Sequence, residues 1–347
     1  MSKFSTYLLF LLFAVSPAGA DDGGDIIDRY VSLAVQGDLS RAETLFSKAN
    51  GEKLPASADG LSRQFQARFI KRDDSDLTHT GDELADRVVT AYHAYWVSVL
   101  MREVTLAKGL ETLEASLQVI LHDTGVTTET RGIAQIAVVL AEQLRERGFH
   151  ALETDAPPLR DLFLWKQEEI RKFSVRLTDG TENVDVVFMS DLFSQGWKEF
   201  ATLGLVSTTG WVEDGRLYCV DWAYDRQTEN FRVSYLKHET RHLADFRLFP
   251  GLSSADLEYR AKLTELTFAS TTTTRLLNDF SQKSAPNPES PHAYANYRVI
   301  RDIYREIMDA PLPATPNPWA QISAVKINRA ARVLLKADSG RLQALSP

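Results

Sequence analysis

Residues 238–242 read His-Glu-Thr-Arg-His, and this short pattern restricts the local fold more than any other stretch of the chain. Histidines four apart project from one face of a helix. There they can present two imidazole nitrogens to one tetrahedral Zn²⁺ at about 2.0–2.1 Å. Glu239 follows the first histidine directly, which puts its carboxylate beside such a metal but outside its coordination sphere, where it can take a proton from water. The flanks agree with a helix. Leu236, Leu243 and Phe246 form one apolar stripe, while Tyr235, His238, His242, Asp245 and Phe249 line the adjoining one. Pro250-Gly251 then ends the run. The polar pair Thr240-Arg241 inside the motif predicts an exposed rear face.

Two protein ligands rarely hold a catalytic zinc, so a third is expected. The metzincin continuation x-x-Gly-x-x-His is excluded, because Asp245 stands at the glycine position and Leu248 at the last one. Further on, Ser253 and Asp256 make a capping pair for a new helix. On that helix Glu258, Ala261, Lys262 and Glu265 share a face, with Tyr259, Leu263 and Leu266 in a neighbouring core stripe. Glu258 is the expected third ligand, since Ala261 one turn on leaves room for close approach to the motif helix. Glu265 projects the same way two turns on and remains the rival. The plain alternative for both is a solvated acidic face pairing with Arg260 or Lys262.

Asp245 stands two turns after His238 and has two open readings: an acceptor that fixes an imidazole tautomer, or a solvent-facing charge. To steady a developing oxyanion, His292 is the first candidate, followed by Tyr294 and Tyr297, all at the start of a helix running to about residue 308.

Over residues 231–268 the chain resembles the gluzincins, zinc metallopeptidases in which His-Glu-x-x-His is completed by a glutamate on a following helix. The resemblance implies one Zn²⁺ per chain held by His238, His242 and Glu258, with Glu239 as general base and a peptide or protein as substrate. Glu258 lies in a Glu-x-x-Ala context similar to that of several families in the group. The Asn-Glu-x-x-Ser-Asp stretch of the best-known members is missing.

The rest of the chain supplies context. Residues 1–20 have the form of a secretory signal peptide: Lys3, an apolar run over 7–15, and an Ala-x-Ala end at Ala18-Gly19-Ala20. The run is too short to span a bilayer, so the expected product is exported, periplasmic or secreted, with no membrane insertion after cleavage. Losing Lys3 takes the formal net charge from −8 to −9. That acidic, unclustered balance argues against a nucleic-acid partner. Cys219 is the single cysteine, so no internal disulfide can form. Its apolar neighbours predict a buried structural thiol.

The expected fold class is α+β: an all-helical region over 21–152, then a zincin-like catalytic domain over 153–347 with a mixed or antiparallel sheet and metal-binding helices. Helical periodicity marks 25–34, 39–46, 61–70, 83–100, 110–121 and 128–147. His79, His93, His122 and His150 fall in or near these segments without a ligand-spaced partner, and no chemistry is assigned to them. Strand signals mark 173–177, 184–189 and 201–208, and a hairpin 210–220 turns at Asp214-Gly215. The edge of this hairpin or of the 201–208 strand could pair with an extended substrate, and Asp221, Trp222 and Tyr224 could reach a cleft. After the Pro- and Ala-rich stretch 311–318 a last helix spans 319–336, with Lys326, Arg329, Arg332 and Lys336 on a solvated face. The competing class is a non-catalytic exported helical scaffold or binding protein with an incidental or structural metal site.

Overall fold

A computed structural model describes residues 12–14, 22–49, 55–73, 79–125, 132–313 and 318–345. The segment 1–20, expected to be a signal peptide, lies outside them except for Leu12–Ala14. The chain is α+β and forms two compact units, Leu11–Glu168 with Met189–Thr209, and Glu169–Phe188 with Gly210–Pro347. The divisions between these units fall at 168/169, 188/189 and 209/210, inside the sheet region. Among the described residues no helix is long and apolar enough to cross a membrane.

The first unit begins with the short strand β1 (Leu12–Ala14) and the helices α1 (Asp22–Val35), α2 (Leu39–Ala49), α3 (Ala56–Phe65), α4 (Glu83–Leu100), α5 (Leu106–Asp123) and α6 (Ile133–Glu146). A π-helical turn, Gln66–Ile70, extends α3. Capping sets two of the helix starts: Asp82 accepts a hydrogen bond from the Ala85 N–H, and Thr105 from that of Lys108. As its apolar content predicts, α4 is a core helix, burying Val88, Tyr92, Tyr95 and Trp96. His93 stacks on Phe200 at 4.3 Å, a packing histidine.

Strand β2 (His150–Ala156) follows, beginning inside the helical region expected over 21–152, and pairs antiparallel with the first half of β3 (Leu159–Arg176). β4 (Thr181–Gln195) returns beside it. Both long strands run through the two units. The expected strand 201–208 is corrected to helix α7 (Gly196–Ala201) and a three-residue strand, β5 (Val206–Thr208), which pairs antiparallel with β1. The buried Asp161 carboxylate accepts a hydrogen bond from the Trp197 N–H at 2.6 Å, which starts the helix. Gly196 permits this with φ +87°, and a Cβ there would lie 2.4 Å from Asp161 Oδ1. Leu203 at φ 55° and Gly204 at φ 81° then break the chain direction.

In the second unit β6 (Gly210–Glu213) and β7 (Arg216–Val220) form the expected antiparallel hairpin. β7 lies next to β4, and β6 ends the sheet. The helices are α8 (His238–Leu248), α9 (Ser254–Phe268), α10 (Thr273–Gln282), α11 (Pro291–Met308) and α12 (Ala324–Leu345). α9 is central, packing on α8, α11 and α12. It is buried from Leu257 to Thr267 on every side, so it has no amphipathic face. α12 starts and ends later than 319–336, but Lys326, Arg329, Arg332 and Lys336 are exposed as expected. Cys219 is buried, and burial pushes its thiol well above the usual range.

Candidate metal centre

α8 continues from a π-helical segment, Asn230–Lys237; such bulges recur at functional sites. Gly210 of β6 lies against this segment, where a Cβ would come within 2.5 Å of the Tyr235 ring. Sheet edge and motif helix are therefore in close contact. All five motif residues, His238 to His242, have no exposed surface.

The expected exposed rear face is thus overturned, and the reason is a set of ion pairs with residues distant in sequence. Arg241 lies 2.8 Å from Asp179 and 2.7 Å from Asp245. Asp245 also holds Arg260 of α9 at 2.8 Å, and Arg260 reaches Asp338 of α12 at 2.8 Å. Asp245 therefore neither faces solvent nor serves an imidazole. It locks α8 to α9, and Arg260 continues the lock to α12.

His238 Nε2 and His242 Nε2 lie 3.0 Å apart. Glu258 Oε1 lies 3.3 Å from His242 Nε2 and 3.7 Å from His238 Nε2. One ligand atom from each of the three falls within 4.8 Å of the others, and the three side chains are buried. Ser253 sets the register of α9 that achieves this, its hydroxyl accepting the Asp256 N–H at 3.1 Å.

Glu265 does not join the ligand set. It sits behind His238, accepting a hydrogen bond from Nδ1–H at 2.7 Å. This fixes the tautomer that leaves the Nε2 lone pair free for a metal. The solvated-face reading of both glutamates is corrected by their burial, 1 % exposure for Glu258 and 3 % for Glu265, although Lys262 does pair with Glu258.

Glu239 is fully buried, and neither of its oxygens has a hydrogen-bond partner. Burial, reinforced by Glu258 and Glu265 and opposed by His238, pushes its carboxyl up to about 8. For Glu258 burial acts in the same direction, but His292, Lys262 and His238 hold it well below the ordinary carboxylate range. These residues fit a divalent cation. Two imidazole nitrogens and one carboxylate oxygen converge with all three side chains buried, and Glu265 and Lys262 stand behind them on His238 and Glu258. Such a donor set could hold a divalent metal ion between His238, His242 and Glu258.

His292 is brought to the site, but on its far side: Nδ1 lies 3.0 Å from Glu258 Oε2, with the ring 34 % exposed. Tyr294 and Tyr297 stack on each other and lie beneath the guanidiniums of Arg298 and Arg301. Asp221 pairs with Arg226 at 2.5 Å, Trp222 is exposed, and Tyr224 packs on Phe231 and Tyr235. The sequence placed Arg241 on an exposed rear face and offered Arg260 and Lys262 only as surface partners of the glutamates, so their buried ion pairs were not foreseen. For Glu265 the signal was present: carboxylates seven residues apart on one helix face can approach the two nitrogens of one imidazole.

Compared with known proteins, the chain matches no family model, no curated protein and no solved structure.

Proposed function

We propose that the chain is a zinc-dependent peptidase of the gluzincin kind, with a zincin-like arrangement in its second unit and exported by the leader at 1–20. The observation that carries this reading is the convergence of His238, His242 and Glu258 within 4.8 Å beside a buried Glu239 whose carboxylate has no partner.

When bound, zinc supplies the Lewis acidity that polarises a carbonyl and acidifies water. The chain's own residues do the rest. Glu265 orients His238. Glu239, raised toward neutrality, accepts the proton of the attacking water and delivers it to the departing amine. Its lack of other hydrogen bonds leaves both oxygens free for that transfer. His292, about one-third exposed and in contact with Glu258, is the candidate for contact with substrate. The sheet edge at β6, packed against the helix that carries the motif, supports an extended peptide as substrate.

One observation favours a second reading, a structural zinc: the motif is sealed from solvent. A structural site is closed by four protein ligands. Among the described residues no fourth His, Cys, Asp or Glu joins the set, which favours catalysis.

The test is elemental analysis of the purified mature chain beside His238→Ala, followed by cleavage of a peptide library. The expected result is about one zinc per wild-type chain, none in the variant, and cleavage only by the wild type. Absence of zinc from the wild type after incubation with excess Zn²⁺ near neutral pH overturns the proposal.

A further inference from the structure

The two oxygens of Glu258 have different surroundings. Oε1 is turned to the imidazoles, at 3.3 and 3.7 Å. Oε2 is turned away from them, with Lys262 Nζ at 3.3 Å and His292 Nδ1 at 3.0 Å. Lys262 stands one turn along α9 from Glu258 and is itself 7 % exposed. Its ammonium also lies 5.0 Å from the Phe280 ring centroid, so both a carboxylate and an aromatic face hold it in place.

An ammonium this close to a dication site opposes metal binding by simple repulsion, and affinity alone gives no reason to keep it there. Its geometry gives one. Carboxylates bind metals through one oxygen or two, and an oxygen that makes no hydrogen bond but lies 3.3 Å from an ammonium and 3.0 Å from an imidazole is drawn by their charge away from the second donor position. We infer that Lys262, with His292 alongside, is a positioning residue that restricts Glu258 to binding a metal through Oε1 alone, keeping a coordination position open for water and substrate. This rests on the metal-site reading above.

Cobalt(II) is the probe, because its visible absorption weakens as coordination number rises. Wild type, Lys262→Met and Lys262→Arg are loaded with cobalt, and zinc affinity is measured separately by chelator competition. Methionine fills a similar volume against Phe280 but cannot hold Oε2. The expected result is a strong band for the wild type and a markedly weaker one for Lys262→Met, with zinc bound roughly tenfold more tightly through the lost repulsion. Lys262→Arg should resemble the wild type.

A merely structural lysine predicts the opposite sign, looser metal binding with an unchanged spectrum, and that result overturns the inference. So does a Lys262→Met protein equal to wild type in spectrum and affinity. His292→Ala, truncated at a one-third-exposed position, should move the spectrum in the same direction by less, and it serves as the test if Lys262→Met does not fold; an unchanged spectrum in that variant then overturns the inference. If the wild type itself takes up neither cobalt nor zinc, the metal-site reading falls and the inference with it. If it binds one ion and the variants match it, only the inference falls.

Discussion

Nδ1–H of His238 donates a hydrogen bond to Oε1 of Glu265 at 2.7 Å, across 27 residues of sequence and with both groups buried. The bond fixes which ring nitrogen faces Glu258 and His242. Glu265→Gln keeps the shape but removes the anion and permits the amide to turn its N–H₂ toward the ring. The variant should bind zinc about 10–100-fold more weakly, the usual cost of losing such a partner. Chelator competition measures it, and an unchanged affinity would show that Glu265 does not orient His238.

Glu239 has no ligand role in the reading proposed above, so Glu239→Gln should leave zinc content unchanged. Turnover should fall by about 10²–10⁴-fold, the range for loss of a general acid–base group. Metal analysis and peptide cleavage on the same preparation separate the two effects. Full activity in the variant would remove Glu239 from the mechanism.

The parts of the site readable in the sequence are those whose geometry is local. His238 and His242 follow from four-residue spacing, and Glu258 from the cap at Ser253 that sets the register of α9. The parts that were not readable depend on distant partners. Arg241 looked like a solvent-facing residue because its partner Asp179 lies 62 positions away. α9 looked half solvated because Glu258, Arg260, Lys262 and Glu265 are charged, yet groups on α8, α11 and α12 pair with three of these side chains.

In the sheet, β3 was visible only at its far end, 173–177. Residues 166–172 are exposed on both faces of the strand, and a strand that buries neither face leaves no alternation to read. The helix α7 was missed for a related reason, since its start is set by Asp161, 36 residues upstream of Trp197.

The α8–α9 lock predicts a large stability effect far from the chemistry. Asp245, Arg241 and Arg260 all have zero exposure. Asp245→Asn would leave the two buried guanidiniums with Asp179 and Asp338 alone, a change expected to cost about 2–4 kcal/mol, somewhat less than leaving a buried charge with no partner. Denaturant unfolding should show that loss, and zinc affinity should fall with it because His238 and Glu258 sit on the two helices being separated. A loss below about 1 kcal/mol, the scale of a surface pair, would mean that Asp245 does not lock the two helices.

Asp161 gives the fold a pH dependence of its own. It is 3 % exposed, and burial pushes its carboxyl up to about 7 despite the hydrogen bonds from the Trp197 and Leu162 N–H groups and the nearby Lys198. Between the ordinary value of 3.8 and about 7 the folded chain keeps a proton that the unfolded chain has lost. Stability from this group is therefore present at low pH, falls as pH rises through that window, and levels off above it. Asp161→Asn keeps an oxygen to accept the Trp197 N–H and cannot ionise. Its unfolding free energy relative to wild type should rise across about pH 4–7, on the order of a few kcal/mol in total. Urea titrations of both proteins at several pH values measure the difference, and parallel profiles would show that Asp161 ionises normally in the folded chain.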